Sequence, residues 1–318
     1  MLAIRDEADI IDETIEHLLT WVDALHVFDT GSTDDTWDRV RAWAGRDGRV
    51  KPFMQREICY GPHVYARIFD AVRGGFEHGD WIARLDGDEI YHVAPPRFIA
   101  ERVGPHEGLV FVQDYQFVLT HGDLAEFEAG ANPARWSAPI QERCRRYVIE
   151  PVVEPRLFRY RPSMRWAPDQ SVPWGPGHRA VARIPVRHYR WRSPRQMEER
   201  CRLRIATLAV SPHGVHWGKD WREWLWDDAD PRLRVWGEGG EDGGDLHPHQ
   251  DTNHLEPPLI RAAKGLYYRS GLVTLRDRTR PGWCEPVLPD PPRVEPLPGA
   301  DAHKETDACR PASSSMVL

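Results

Sequence analysis

The apolar run Trp81 to Leu85 ends in Asp86-Gly87-Asp88-Glu89, two carboxylates separated by one glycine. In extended backbone residues i and i+2 point the same way, so Asp86 and Asp88 are placed to converge on one hard cation, and Gly87 lets backbone or ligand come close. A divalent metal bridging to a diphosphate is the chemistry such a pair serves. The plainer alternative is an ordinary turn, where Asp and Gly are favoured for backbone reasons alone. Asp29 closes a second apolar run, Leu25 to Phe28, and is followed by the turn Thr30-Gly31-Ser32-Thr33-Asp34. Between Arg143 and Arg204 arginine recurs every few residues. Arg187, Arg190 and Arg192 flank His188 and offer planar forks to phosphate oxygens, or else form a solvated basic face.

These residues need elements that deliver them to one place. Met1 to Ile4 reads as a first strand that starts with almost no lead-in and ends at Arg5-Asp6-Glu7. Ile11, Ile15, Leu18 and Val22 follow at helical spacing. Leu25 to Phe28 is a second strand. Ser32 or Thr33 can cap the next helix, whose inner face is Trp37, Val40 and Ala44. Val50 to Met54 is a third strand, Pro62 to Val72 a third helix, and Trp81 to Leu85 a fourth strand. Successive strand-helix units imply right-handed crossovers and a mostly parallel sheet, which puts Asp29, Asp86 and Asp88 just past strand ends and on one crevice. After Asp88 the pattern changes to strands at Leu109 to Val112, Phe117 to Leu119, Leu157 to Tyr160 and Ile184 to Tyr189, then a helix over Gln196 to Val210. A Trp-rich segment, Trp217 to Trp226, suits packing of a C-terminal helix or an aromatic platform for an acceptor. His247, His249, Asp251 and His254 have metal-ligating types in a Pro/Gly loop without a ligand pattern, and the tail from Pro281 is Pro-rich with little to bury.

Composition narrows the classes. The 318 residues suffice for one large α/β domain with additions, and a net charge of −7 argues against nucleic acid as a partner. Cys59, Cys144, Cys201, Cys284 and Cys309 are odd in number and lack CxxC spacing, which fits a reducing cytoplasm better than a disulfide framework or zinc site. No basic-then-apolar leader and no run of roughly 18 apolar residues is present, so no transmembrane segment is expected.

Taken together, Arg5-Asp6-Glu7, Asp29 with Gly31-Ser32-Thr33-Asp34, Ala66-Arg67 and Leu85-Asp86-Gly87-Asp88-Glu89 resemble the nucleotide-sugar glycosyltransferases of family 2, with the GT-A fold. The likeness covers residues 1–90. It continues more loosely to about 205 through Arg156-Leu157-Phe158-Arg159, Pro168-Asp169 and Arg187-His188-Tyr189-Arg190. It implies an α/β domain over 1–205, with a nucleotide-binding half (1–90) and a mixed acceptor half (91–205), followed by a partly helical extension (206–280) and a tail (281–318). It implies transfer of a sugar from a nucleotide donor, UDP by preference, to a glycan, lipid-linked or small-molecule hydroxyl, with Mn²⁺ or Mg²⁺ and with inversion. By the same resemblance Asp88 and His188 are metal ligands, Asp86 holds ribose or a metal-bound water, and Asp29 accepts from a base N–H. Arg5, Glu7 and Arg67 lie near the nucleotide, although Ile68 replaces the asparagine often found beside that arginine. Asp169 is the general base, with Glu142 and Glu154 as competitors and Pro168-Asp169 standing where His-Glu is more usual. A sugar nucleotidyltransferase is a rival, but Arg5-Asp6-Glu7 is no glycine-rich phosphate loop. A nucleotide- or glycan-binding module without turnover is another.

Overall fold

The computed structural model describes residues 1–151, 154–207, 220–237, 255–273 and 275. The first part alternates β1 (Leu2–Ile4), α1 (Ile11–Leu18), β2 (Leu25–Asp29), α2 (Thr36–Arg46), β3 (Val50–Gln55) and α3 (Pro62–Val72). The helices form where apolar side chains recur on one face. Ile11, Ile15 and Leu18 of α1 are buried, as are Val64, Ile68 and Phe69 of α3. Pro62 opens α3, where the missing N–H costs no intrahelical bond.

Three short strands follow, β4 (Trp81–Ala83), β5 (Leu85–Asp86) and β6 (Glu89–Tyr91), and then α4 (Pro95–Arg102) and the long β7 (Glu107–Phe117). Next come α5 (His121–Glu128), α6 (Pro133–Trp136), α7 (Ile140–Arg143), β8 (Arg146–Ile149), β9 (Pro155–Arg159), β10 (His178–Arg179) and β11 (Ile184–His188). The described chain ends with α8 (Pro194–Thr207), β12 (Arg234–Val235) and α9 (Pro258–Arg269).

The strands make two sheets. One is parallel throughout, in the order β3-β2-β1-β5. The other is mixed and runs β12-β8-β7-β11-β6, with β9 and β10 also on β7 and β4 on β9. A parallel half joined to a mixed half, with helices packed around them, is the α/β, GT-A-like arrangement expected from the sequence. Leu2, Ile4, Leu25, Val27 and Val50 pack with α1 on one side, and Val64, Tyr65, Phe69 and Trp166 build a second core around α3.

Three expectations are corrected. Trp81 to Leu85 is not one strand: β4 is antiparallel to β9, whereas β5 is parallel to β1. Arg84 lies at the break, its N–H donating to the Arg156 carbonyl at 2.8 Å. Leu109 to Val112 and Phe117 to Leu119 are not separate strands, because β7 runs through the polar residues Gln113, Asp114 and Gln116 between them. Ser32 and Thr33 do not cap α2. The Asp6 N–H donates to Ser32 Oγ at 2.9 Å and the Thr33 N–H to Asp6 Oδ1 at 2.7 Å, while the Glu7 N–H donates to Thr36 Oγ1 at 2.8 Å. The turns after β1 and β2 are thereby laced together. Gly31, at φ +106°, sits where a Cβ would lie 2.9 Å from the Glu57 backbone, so that turn requires glycine.

Helix α8 is described as far as Thr207. Trp217, the acidic glycine-rich loop, the group His247, His249, Asp251 and His254, and the tail from 281 lie outside the described residues. Among the described residues no helix is long and apolar enough to cross a membrane.

Candidate functional site

The short strand β5 sets Asp86 beside the end of β1, and three side chains close on its carboxylate. Tyr60 donates to Oδ1 at 2.8 Å, Tyr65 donates to the same oxygen, and Arg156 Nη2 donates to Oδ2 at 2.6 Å. Arg156, on β9 and 2 % exposed, also contacts Glu89 and lies 3.4 Å from Glu154. Arg84 binds Glu154 at 2.9 Å and covers the Tyr65 ring at 5.2 Å. Burial alone would raise the Asp86 pKa, but Arg156 and Arg84 outweigh it and hold the carboxyl at about 2. Burial wins at Glu89, which is pushed up to about 8 although Arg156 opposes it.

Asp88 faces a different set. Its Oδ1 is 3.4 Å from His188 Nε2, and its Oδ2 is 3.0 Å from Arg200 Nη2 and 4.0 Å from Arg192 Nη1. His188, at the end of β11, is held from behind, with Nδ1 3.0 Å from Asp114 Oδ2 on β7. Burial opposes the imidazolium, yet Asp114 and Asp88 carry its pKa up to about 10. Arg192 is wholly buried and meets Glu7 at 2.6 Å and Asp9 at 2.8 Å, and Arg200 Nη1 reaches Glu7 at 3.1 Å. Burial raises Glu7 to about 7, against the pull of Arg192 and Arg200. Burial and then the like charges of Arg200 and Arg190 drive Arg204 well below the ordinary arginine range. Arg192 and Arg200 therefore stand against Asp88 Oδ2, with Arg204 close behind Arg200.

Gly87 separates the two sets. A Cβ there would lie 3.0 Å from Ile4 Cγ2 and 3.2 Å from Glu7 Cγ, so glycine lets the β1 end and its Glu7 close on the turn. The expected convergence of Asp86 and Asp88 on one cation is corrected for the same reason. Gly87 and Asp88 form a turn between β5 and β6, and the alternation of an extended strand stops at Asp86.

The other candidates fall in different places. Asp29 is wholly buried and accepts from the Gly31 and Ser32 N–H groups at 2.9 and 2.7 Å and from Gln55 Nε2 at 3.1 Å. Arg5 donates to the Thr30 carbonyl at 3.2 Å and lies 3.9 Å from Glu57. Arg67 is half-buried on α3. Glu7 joins the Asp88 set. Asp169 is exposed, and among the described residues its carboxylate meets only Gln170, at 3.5 Å. Its loop nevertheless borders the site, because the Ser171 carbonyl accepts from Arg84 at 3.4 Å. Glu154 belongs to the Asp86 set, whereas Glu142 is exposed.

Sequence reasoning missed Tyr60, Tyr65, Arg84, Asp9, Asp114 and Arg200. Asp114 carried a signal, being a charge within an apolar strand. So did Arg200 and Arg204, which share one helix face at i, i+4. The tyrosines carried none, since an aromatic on a core-facing helix, as Tyr65 is, and one in the loop before it, as Tyr60 is, are both ordinary.

Among the described residues no three His, Cys, Asp or Glu side chains converge as a metal-holding group. Asp88 and His188 nonetheless fit a divalent ion as a pair. Their nearest atoms are 3.4 Å apart, Asp88 Oδ2 is buried and accepts no well-formed hydrogen bond, and Asp114 orients the ring as a carboxylate behind a ligating histidine does. Mg²⁺-type ions commonly take one or two protein carboxylates and draw their remaining ligands from phosphate and water. Binding there requires the imidazole to give up its Nε2 proton.

No known family profile matches the sequence, and no curated protein does. Among solved structures the chain is similar to the mannosyltransferase PcManGT from Pyrobaculum calidifontis, solved in complex with GDP-Man and Mn²⁺. The likeness has 16% identity and a TM-score of 0.28, and covers 50% of this chain and 43% of that one, so this chain spans less than half the length of its neighbour.

Proposed function

We propose that the chain is a glycosyltransferase that moves a sugar from a nucleoside diphosphate, UDP by preference, to a hydroxyl acceptor with inversion, using Mn²⁺ or Mg²⁺ held by Asp88 and His188. One observation carries this reading: His188 sits between Asp114 behind and Asp88 ahead, with Arg192 and Arg200 against Asp88, at the carboxyl ends of β5 and β11. When bound, the divalent ion supplies positive charge against the diphosphate as its bond to the sugar breaks. Asp114 holds the His188 ring in one tautomer. Arg192 and Arg200 offer planar donors to the departing oxygens, and Glu7 and Asp9 hold those guanidiniums in place beforehand. Asp169 takes the acceptor proton. Among the described residues no arginine engages it, whereas Glu154 is committed to Arg84 and Arg156. For Asp29 to read a uracil N–H, Gln55 must leave Oδ2.

The test is release of nucleoside diphosphate from UDP-, dTDP- and GDP-sugars, with Mn²⁺ and with chelator, over a panel of glycan, lipid-linked and small-molecule alcohols. Release should need the metal and vanish in His188→Ala. Equal release under chelator would sink the metal assignment. Asp169→Asn should lower kcat by about 10²-fold or more with donor affinity kept. The same loss in Glu154→Gln, with Asp169→Asn active, would move the role to Glu154.

A second reading, a nucleotide-binding module without turnover, is favoured by one observation: Asp86 and Asp88 both already have guanidinium partners. Calorimetric binding of UDP with no release from any donor would select it.

A further inference from the structure

Asp29 is wholly buried, and both of its carboxylate oxygens are already engaged. Oδ1 accepts the Gly31 and Ser32 N–H groups at 2.9 and 2.7 Å, and Oδ2 accepts Gln55 Nε2 at 3.1 Å. A nucleobase brought to the carboxyl ends of the parallel strands therefore finds Asp29 covered. The polar side chain it finds instead is Gln55, the last residue of β3, which is exposed.

An irregularity in the sheet puts Gln55 there. Leu25 pairs with Val50, His26 with Lys51 and Val27 with Pro52; the register then skips Phe53, so that Phe28 lies opposite Met54 and Asp29 opposite Gln55. In unbroken register Met54 would stand beside Asp29, and a thioether has no proton to donate to a carboxylate. A bulge of this kind re-aims a side chain, and β3 is the edge strand of the parallel sheet.

Asp29 also fixes which way the amide points. Glutamine carries NH₂ on one side and a carbonyl oxygen on the other, whereas a carboxylate only accepts. With Nε2 on Asp29, turning the amide over would set two acceptors against each other. The outward group is therefore Oε1, which meets no donor among the described residues. A lone outward acceptor suits a base with a ring N–H, which uracil and thymine carry at N3 and guanine at N1. Cytosine N3 and adenine N1 present a lone pair in that place.

From this geometry we infer that Gln55 selects the base by accepting its ring N–H on Oε1, and that Asp29 is a positioning residue that holds the amide oxygen outward. The inference rests on the nucleoside diphosphate reading above and deepens it. It requires no separation of Gln55 from Asp29.

The experiment is calorimetric titration of the full chain with UDP and with CDP in Mn²⁺. The two ligands share ribose and diphosphate, so the ratio of their affinities isolates the base. Wild type should favour UDP about tenfold or more. Gln55→Leu, at an exposed position, should keep the wild-type melting temperature and lose the preference, chiefly by weakening UDP. Asp29→Asn keeps the shape but puts an NH₂ in place of Oδ2. The Gln55 amide then turns over, Nε2 faces outward, and the preference should reverse to CDP, whose N3 accepts. A purely structural role for Asp29 would weaken both ligands alike. The double variant Asp29→Asn with Gln55→Leu should show no preference. A UDP preference unchanged in Gln55→Leu overturns the inference while leaving the nucleotide reading intact. So does a reversal that survives in the double variant, which would put residue 29 itself against the base. Failure of the wild type to bind either ligand sinks the nucleotide reading before any variant is made, and this inference with it.

Discussion

Asp86 and Asp88 are two residues apart and meet opposite fates. Asp86 is saturated by Tyr60, Tyr65 and Arg156, and so joins β5 to β9 and α3. Asp88 has no such closure. One oxygen looks at a histidine braced by Asp114, and the other is buried near arginines without a well-formed hydrogen bond. A fully paired carboxylate is a structural fastener, and an incompletely paired one beside cations held by other carboxylates is where an incoming anion or metal finds partners. The chemistry implied by the two carboxylates therefore falls on the second of them.

The largest expected effect tests the fastener. Arg156→Met leaves Glu89 buried without its cation and strips Asp86 of the nearer of its two, and urea unfolding should show a loss of about 3–5 kcal/mol. A loss under about 1 kcal/mol would mean that the Asp86 set is not holding the fold. Asp88→Asn tests the other side. Metal-dependent release should drop at least about 10²-fold, or about 2.7 kcal/mol in the barrier, while stability falls less than in Arg156→Met. The reverse order would erase the distinction between the two carboxylates. Asp114→Asn should weaken the Mn²⁺ response about 10–100-fold in a titration of initial rates, because the His188 ring loses its brace. An unchanged response would remove Asp114 from the site.

The smallest effect separates the ion-paired carboxylates from a half-buried base that has no ionic partner among the described residues. His17 accepts the Tyr91 N–H at 3.1 Å, and burial, then Arg187, lower its pKa from 6.5 to about 4. The unfolded chain therefore binds more protons between those values. Stability is complete above pH 6.5 and is lost as pH falls towards 4, by about 1–2 kcal/mol after allowing for the ring's partial exposure. Asp86, lowered from 3.8 to about 2, loses its contribution only below that window. Urea melts of His17→Gln should be flatter than wild type from pH 6.5 to 4, and parallel curves would refute the assignment.

The parallel half was readable because each of its elements satisfies a local rule: Ile11, Ile15 and Leu18 recur at helical spacing, and Pro62 starts a helix. Asp88 and His188 were singled out by the family resemblance, and they lie next to each other in the fold. The partners of Asp86 were not legible. Tyr60 and Tyr65 come from α3 and the turn before it and Arg156 from β9, and whether they meet is decided by pairing between β4, β7 and β9. The split of Trp81 to Leu85 was hidden too, since an apolar pentapeptide with one arginine reads as a strand whichever sheet it joins.

Residues 81–91 change allegiance twice in eleven positions, pairing first with β9, then with β1, then with β11. Any scissor placed near residue 90 therefore cuts a seam sewn from both cloths. The leading fragment would keep β4 and lose the strand that hydrogen-bonds to it, and the trailing one would keep β11 without β6. Expressed alone, neither piece should yield a soluble module. Chimaeras that exchange one side of the crevice have to carry the whole stretch from Trp81 to Tyr91 together with both of its neighbours.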